Sequence, residues 1–207
     1  MIVVGVSGAS GPILGIRLIE ELLNNNEEVF AVASETAKQI IKHELSLNND
    51  SPFTLSSLIA FRGKSKNIQL LQEFDNADFF SPVASGSTNF EAMVVIPCSM
   101  KTLSAMANGY ADSLITRACD VCLKERRKLI VVPRETPLNL VHLENMLRMT
   151  RAGATILPPV MGFYTLPKTV DDMINFVLGK ILNSLGKKNP LFGSWGDIPS
   201  SENGQQI

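Results

Sequence analysis

The chain has 207 residues, 45% of them hydrophobic and 19% charged, which suits one α/β domain with a full core. A net charge of -1 and a pI near 6.1 argue against nucleic acid or an anionic membrane as a partner. Strand residues begin at Ile2, leaving no room for a signal peptide, and no apolar run reaches the roughly 18 residues that a bilayer span needs. The expected compartment is therefore the cytoplasm. Cys98, Cys119 and Cys122 cannot all pair and read as free thiols there, because Cys119-Asp-Val-Cys122 falls inside a helical pattern with no second ligand pair for a metal.

Ile2, Val3, Val4 and Val6 make an apolar, β-branched run, the pattern of a strand buried on both faces. It breaks at Ser7-Gly8-Ala9-Ser10-Gly11. Pro12 then stands where a first helical residue would lack a partner for its N–H, and apolar residues at helical spacing follow from Ile13 to Leu23. Strand, small-residue loop and helix together aim backbone N–H groups and a positive dipole end at an anion. The glycines read G-x-x-G-x-x-G rather than G-x-G-x-x-G, and no G-x-x-x-x-G-K-[ST] is present, so a standard dinucleotide or P-loop site is disfavoured. The hydroxyls of Ser7 and Ser10 are candidates for holding phosphate or moving a proton.

Residues 28–33 predict a second strand, with Ser34 at its C-terminal end, where open α/β sheets place ligands; Ser34 reads equally as a plain cap of the helix 35–43. Residues 46–66 are polar and read as an irregular surface excursion. Ser85-Gly86-Ser87-Thr88 suits a turn that receives phosphate oxygens, or a solvated loop. Residues 92–96 predict a buried strand ending at Pro97-Cys98-Ser99-Met100-Lys101-Thr102, where a helix begins at once. Lys101 is unfavourable beside that helix's positive end unless solvent or an anion meets it.

Residues 113–128 read as a helix, on which Arg117 and Lys124 lie seven apart and share a side. Residues 129–132 predict the next strand, closed by Pro133-Arg134-Glu135-Thr136-Pro137, whose two prolines fix the loop. A helix over 139–151, a short strand over 154–157 and a helix over 170–185 carrying Lys180 follow, then a tail holding Trp195. Cationic and small hydroxyl residues thus gather at four strand ends, which describes a phosphate-rich ligand. Neither His43 nor His142 sits in such a cluster, and no G-x-S-x-G elbow supports a serine hydrolase.

Val6-Ser7-Gly8-Ala9-Ser10-Gly11, Ile96-Pro97-Cys98-Ser99-Met100-Lys101-Thr102-Leu103-Ser104, Leu123-Lys124-Glu125-Arg126-Arg127 and Arg134-Glu135-Thr136-Pro137-Leu138 together resemble the UbiX/Pad family of flavin prenyltransferases, in the same order from residue 1 to about 185. The resemblance implies a flavodoxin-like (Rossmann-like) fold, an open parallel sheet with helices on both faces in three αβα layers. Residues 1–186 would form the flavoprotein domain, and residues 187–207 a tail that brings Trp195 over the active site or a neighbouring subunit. It implies metal-independent transfer of a dimethylallyl group from dimethylallyl monophosphate to N5 and C6 of reduced FMN, giving prenylated FMN for a UbiD-type decarboxylase, within a homo-oligomer, commonly a dodecamer with sites between subunits.

By the same resemblance FMN is held at Gly8, Ala9, Ser10, Ser34, Ser99, Met100, Lys101, Thr102 and Arg117. The prenyl phosphate is held at Lys124, Arg134, Tyr164 and Lys180, with Trp195 near the prenyl group; Ser85 and Gly86 join the substrate contacts on the chemistry of their own turn. Catalytic roles fall to Lys124, Arg134, Ser10 and Glu135, the last two for proton handling. Two departures bear on prenyl fit: Gly11-Pro12-Ile13-Leu14-Gly15 replaces the usual Gly-Ala-Ile-Tyr-Gly, and Phe79 stands where some relatives carry tryptophan. Two rival readings are an FMN-dependent cysteine decarboxylase of the same fold, whose Asn-bearing loop and Met-Asn motif are absent here, and a non-catalytic FMN carrier. Quinone synthesis and aromatic-acid decarboxylation both stay open as the pathway, as do monophosphate and diphosphate as donor.

Overall fold

A computed structural model describes residues 1–47 and 53–193. Contacts divide them into two compact units, residues 1–159 and residues 160 onward. The first unit is built on six parallel strands: β1 (Ile2–Val6), β2 (Val29–Ala33), β3 (Leu71–Asp75), β4 (Ala92–Cys98), β5 (Lys128–Pro133) and β6 (Thr155–Ile156). Their spatial order is β3-β2-β1-β4-β5-β6. Every residue of β1, β2 and β4 is buried, as their unbroken apolar runs predict, while no residue of edge strand β3 is fully buried. The fold is the flavodoxin-like α/β arrangement expected.

Helices cover both faces. Alternate residues Val3, Val32, Val95 and Val131 pack with buried residues of α4 (Met100–Ala107), α5 (Leu114–Lys124) and α6 (Leu140–Arg151). On the opposite face α1 (Ile13–Asn24) approaches so closely that a Cβ on Gly15 would lie 3.0 Å from the Val6 side chain and run into the Ile96 carbonyl. Pro12 is the N-cap of α1 rather than its first residue, already with helical dihedrals. α2 (Glu35–Glu44) follows β2 directly, capped by Ser34.

Three expectations need correction. Residues 55–62 of the supposed irregular excursion form α3 (Leu55–Arg62), capped reciprocally by Thr54 and Ser57. Its last residue, Arg62, forms a bidentate pair with buried Glu20 of α1, at 2.6 and 3.3 Å. β3, for which the sequence carries no clear alternation, adds an edge strand. The helix read over 113–128 stops at Lys124, because Arg126 turns left-handed (φ 54°). The N–H groups of Arg126 and Arg127 then donate to Leu123 and Cys122, a Schellman closure that frees the chain to enter β5.

In the second unit, α7 (Val170–Leu185) is capped by Thr169 and Asp172 at one end and by left-handed Gly186 at the other. Among the described residues no helix is long and apolar enough to cross a membrane.

Candidate active site

The chain runs from β1 outward through β2 to β3, then returns to place β4 on the other side of β1. The crevice between the C-terminal ends of β1 and β4 is therefore the topological switch point, where such sheets bind ligands. A cleft of about 300 Å³ opens there, lined by Gly8, Ser34, Ser99, Lys101 and Thr102, five of the nine residues expected to hold FMN. Ala9, Ser10 and Met100 adjoin them in sequence without lining it.

Three helices begin at this cleft, each with a serine as its N-cap. Ser34 Oγ accepts from Ala37 N at 3.1 Å, Ser99 Oγ from Thr102 N at 3.2 Å, and Ser113 Oγ from Thr116 N at 3.3 Å. Each N-terminus brings roughly half a positive charge and unpaired N–H groups. The first turns of α4 and α5 carry no acidic residue to cancel it. Ser7, expected to offer a free hydroxyl, is instead buried: its Oγ donates to Pro97 O at 2.9 Å and accepts from Ser99 N at 2.8 Å, stitching the β1 loop to the β4 loop.

Gly8 lets α2 approach, since a Cβ there would stand 2.7 Å from Thr36 Cβ and Cγ2. A narrow, glycine-floored cleft with converging N–H donors fits a flavin mononucleotide by its anionic phosphate end. Sequence reasoning missed Thr36, Asn76, Asp112, Ser113 and Thr116 of the lining. Asn76 is the most telling: its main-chain carbonyl accepts from Leu114 N at 2.7 Å and its Oδ1 from Ile115 N at 3.2 Å, which fixes the start of α5 at the cleft. Only the Ser113 cap signal was legible without the fold.

A second cluster forms where the 84–88 loop meets the end of α5. Arg117 does not line the cleft; its Nε donates to Ala84 O at 3.1 Å and its Nη1 to Asp120 at 2.5 Å. Lys124 Nζ is hydrogen-bonded to Glu125, whose carboxyl this contact holds below its ordinary value. Gly86 packs so tightly on the pair that a Cβ would come within 2.6 Å of Lys124 Nζ. Ser85 Oγ lies 2.7 Å from Ser87 Oγ. The structure thus joins Ser85, Gly86, Arg117 and Lys124.

Arg134 and Glu135 are exposed just past β5, anchored to the end of β4 through Arg134 N to Cys98 O at 3.0 Å, and Glu135 Oε1 accepts from Thr136 N at 3.0 Å. In the second unit, Tyr164 meets the Phe176 ring edge-on at 5.4 Å, and Lys180 Nζ lies over Phe176 at 5.4 Å and Phe192 at 5.7 Å. That aromatic seat for Lys180 was not foreseen. Trp195 lies outside the described residues. The three cysteines are free and buried; burial pushes the Cys122 thiol up to about 12 and also raises Cys98 and Cys119 well above the ordinary thiol value.

The family model described as Flavoprotein matches residues 1–182. Flavin prenyltransferase UbiX of Methanocaldococcus jannaschii is 49% identical over 199 residues, covering 95% of this chain and 99% of that protein. A crystal structure of AnUbiX (PadA1) in complex with FMN and dimethylallyl pyrophosphate superposes with a TM-score of 0.81 at 38% identity, over 99% of this chain and 98% of that one. A dodecameric FMN-dependent UbiX-like decarboxylase from Escherichia coli O157:H7 gives 0.81 at 39% identity, over 94% and 98%. A peptidyl-cysteine decarboxylase, at 19% identity and a TM-score of 0.52, shares the fold alone.

Proposed function

The chain belongs to the UbiX family of flavin prenyltransferases, and on that premise we propose how its own residues carry the reaction. It is a prenyltransferase with FMN as its flavin. The donor we assign is a dimethylallyl phosphate, with the monophosphate first to be tested. Reduced FMN, when bound, supplies the nucleophilic N5 and C6 positions that accept the dimethylallyl group.

FMN is held in the cleft by Gly8, Ser34, Ser99, Lys101 and Thr102, with Ala9, Ser10 and Met100 shaping the turns behind them. Lys124 and Arg134 stand before the start and past the end of β5 in one chain, so in a site shared between subunits they would stabilise the leaving phosphate, on whose oxygens charge builds as the C–O bond breaks. Fixed cations suit that task because they need no reorganisation at the moment of reaction. For Lys124 to do so, Glu125 must yield the ammonium it now holds. Ser85 and Gly86 shape the same corner. On their own unit, Tyr164 and Lys180 offer a hydroxyl and an ammonium suited to phosphate. Glu135 would take up on its carboxylate the proton released from the flavin C6 position as the second bond forms and pass it to the departing phosphate, the final base, with the Ser10 hydroxyl as a further relay.

The product serves a UbiD-type decarboxylase in this reading, and the chain works as a homo-oligomer, a dodecamer with sites between subunits. Exposed apolar residues along α6 (Leu140 at 70%, Val141 at 59%) support such an assembly. Free buried thiols agree with a reducing cytoplasm.

The observation that carries the reading is the convergence of three helix N-termini on one cleft at the β1/β4 switch point. Anaerobic incubation with reduced FMN and dimethylallyl monophosphate, followed by mass measurement of the bound flavin, tests it. A gain of one dimethylallyl unit with release of phosphate is expected. Unmodified flavin with both the monophosphate and the diphosphate would overturn it in favour of a carrier.

A further inference from the structure

We propose that Arg127 is a positioning residue for the donor phosphate, fixing the 84–88 loop so that Ser85, Gly86 and Lys124 keep one arrangement. The inference rests on the assignment of that cluster to the donor. Arg127 is aimed by the closure of α5: with Arg126 left-handed, Arg127 N donates to Cys122 O at 2.8 Å and the side chain turns back along the helix end. Its guanidinium carbon lies 4.3 Å from the centre of the buried Phe90 ring. At the same time Nη2 donates to Gly86 O at 2.8 Å.

One face and one edge of the planar group are therefore committed at once. Nη1 is buried with no hydrogen-bond partner among the described residues. The edge that is engaged is the one that donates to Gly86 O.

Arg117, from the first half of α5, holds Ala84 O, and Arg127, just past its end, holds Gly86 O. Two arginines thus grip carbonyls two residues apart in one loop. The consequence passes to Lys124, because Gly86 lies against the end of its side chain: a Cβ there would stand 2.6 Å from the ammonium, which would have to shift. Where Gly86 sits thus bears on where the Lys124 ammonium rests. A lysine at position 127 could not reproduce this, since a point charge cannot both lie flat on Phe90 and donate sideways to Gly86.

The test compares the whole protein with Arg127→Lys and Arg127→Met by amide hydrogen exchange over residues 84–88, by FMN affinity, and by steady-state kinetics with dimethylallyl monophosphate. Expected are faster exchange in the loop and kcat/KM for the donor down about 10-fold or more, as for loss of one charge-assisted hydrogen bond. The FMN dissociation constant should stay within about twofold, since the flavin cleft does not include this loop. Gly86→Ala should give the same donor defect with Arg127 intact, which keeps the test open if Arg127→Met does not fold.

Unchanged exchange, unchanged kcat/KM, or a parallel loss of FMN affinity would each overturn the proposal. If the unaltered protein transfers no dimethylallyl group from either phosphate, the donor assignment itself falls and takes the positioning role with it. Exchange then still decides whether Arg127 holds the loop.

Discussion

Gly8→Ala should damage flavin binding through one contact. The new Cβ would stand 2.7 Å from both Cβ and Cγ2 of Thr36, whereas ordinary carbon contact begins at 3.4 Å. Thr36 and the β1 turn must therefore separate by at least the missing 0.7 Å. Thr36 sits in the first turn of α2, so the movement carries Ser34 and the N–H donors of that helix off the cleft. Overpacking of this size costs about 1–3 kcal/mol, and donors withdrawn from an anion lose more than they would from a neutral group. FMN affinity should fall about 5- to 150-fold, read by quenching of flavin fluorescence. The double variant Gly8→Ala/Thr36→Gly removes both colliding atoms and should recover most of the loss. Thr36→Ser, which keeps Cβ, should not. A folded Gly8→Ala protein that binds FMN like the parent would refute the argument.

Arg62→Met leaves buried Glu20 without its bidentate partner and should cost about 3–5 kcal/mol in urea unfolding. Replacing Glu20 by Met as well should return most of it. The thiols should be silent to an aromatic disulfide reagent until the protein is unfolded. Cys122 has a folded value near 12, above its ordinary 9, so its contribution is intact below pH 9 and declines as pH rises from 9 towards 12, by about 1.4 kcal/mol per pH unit. Denaturation at pH 8 and pH 10.5 should show that fall, and Cys122→Ala should lessen it. Glu135→Gln should slow formation of the bond at flavin C6 in single turnover while leaving FMN affinity nearly unchanged; equal single-turnover rates would remove Glu135 from proton handling.

How much of this was legible in the sequence depends on the range of the interactions involved. β1, β4 and their loops could be read because a doubly buried parallel strand needs an unbroken apolar run, and the turns that follow it need small residues. Ser34 and Ser99 were found because an N-cap is a local device. Asn76 was not, since its value lies in capping a helix nearly forty residues onward. Ser7 was misread for the same reason: its hydroxyl is spent on Pro97 and Ser99, some ninety residues away. α3 escaped notice because its cap pairs Thr54 with Ser57, where a Glu or Gln would have marked it, and because its Arg62 finds Glu20 only in three dimensions.

The two clusters divide the electrostatic work by kind. In the proposed flavin cleft the attraction for an anion comes chiefly from peptide dipoles, since the charges of Lys101 and Asp112 in the lining oppose one another. Such an attraction is fixed by the backbone and suits a ligand that must stay in register. Around the 84–88 loop the potential comes from side chains, and there the cations are already engaged, Lys124 by Glu125 and Arg117 by Ala84 and Asp120. In the proposed reading, a phosphate arriving at Lys124 would exchange for the Glu125 carboxylate rather than enter bare water, and the carboxylate would take the ammonium back when phosphate leaves. Binding at this end would thereby be moderate and reversible, as a departing group requires, with tight binding left to the cleft. Arg127 fits this division because it does neither job: facing Phe90 and Gly86, it keeps the exchange at one place.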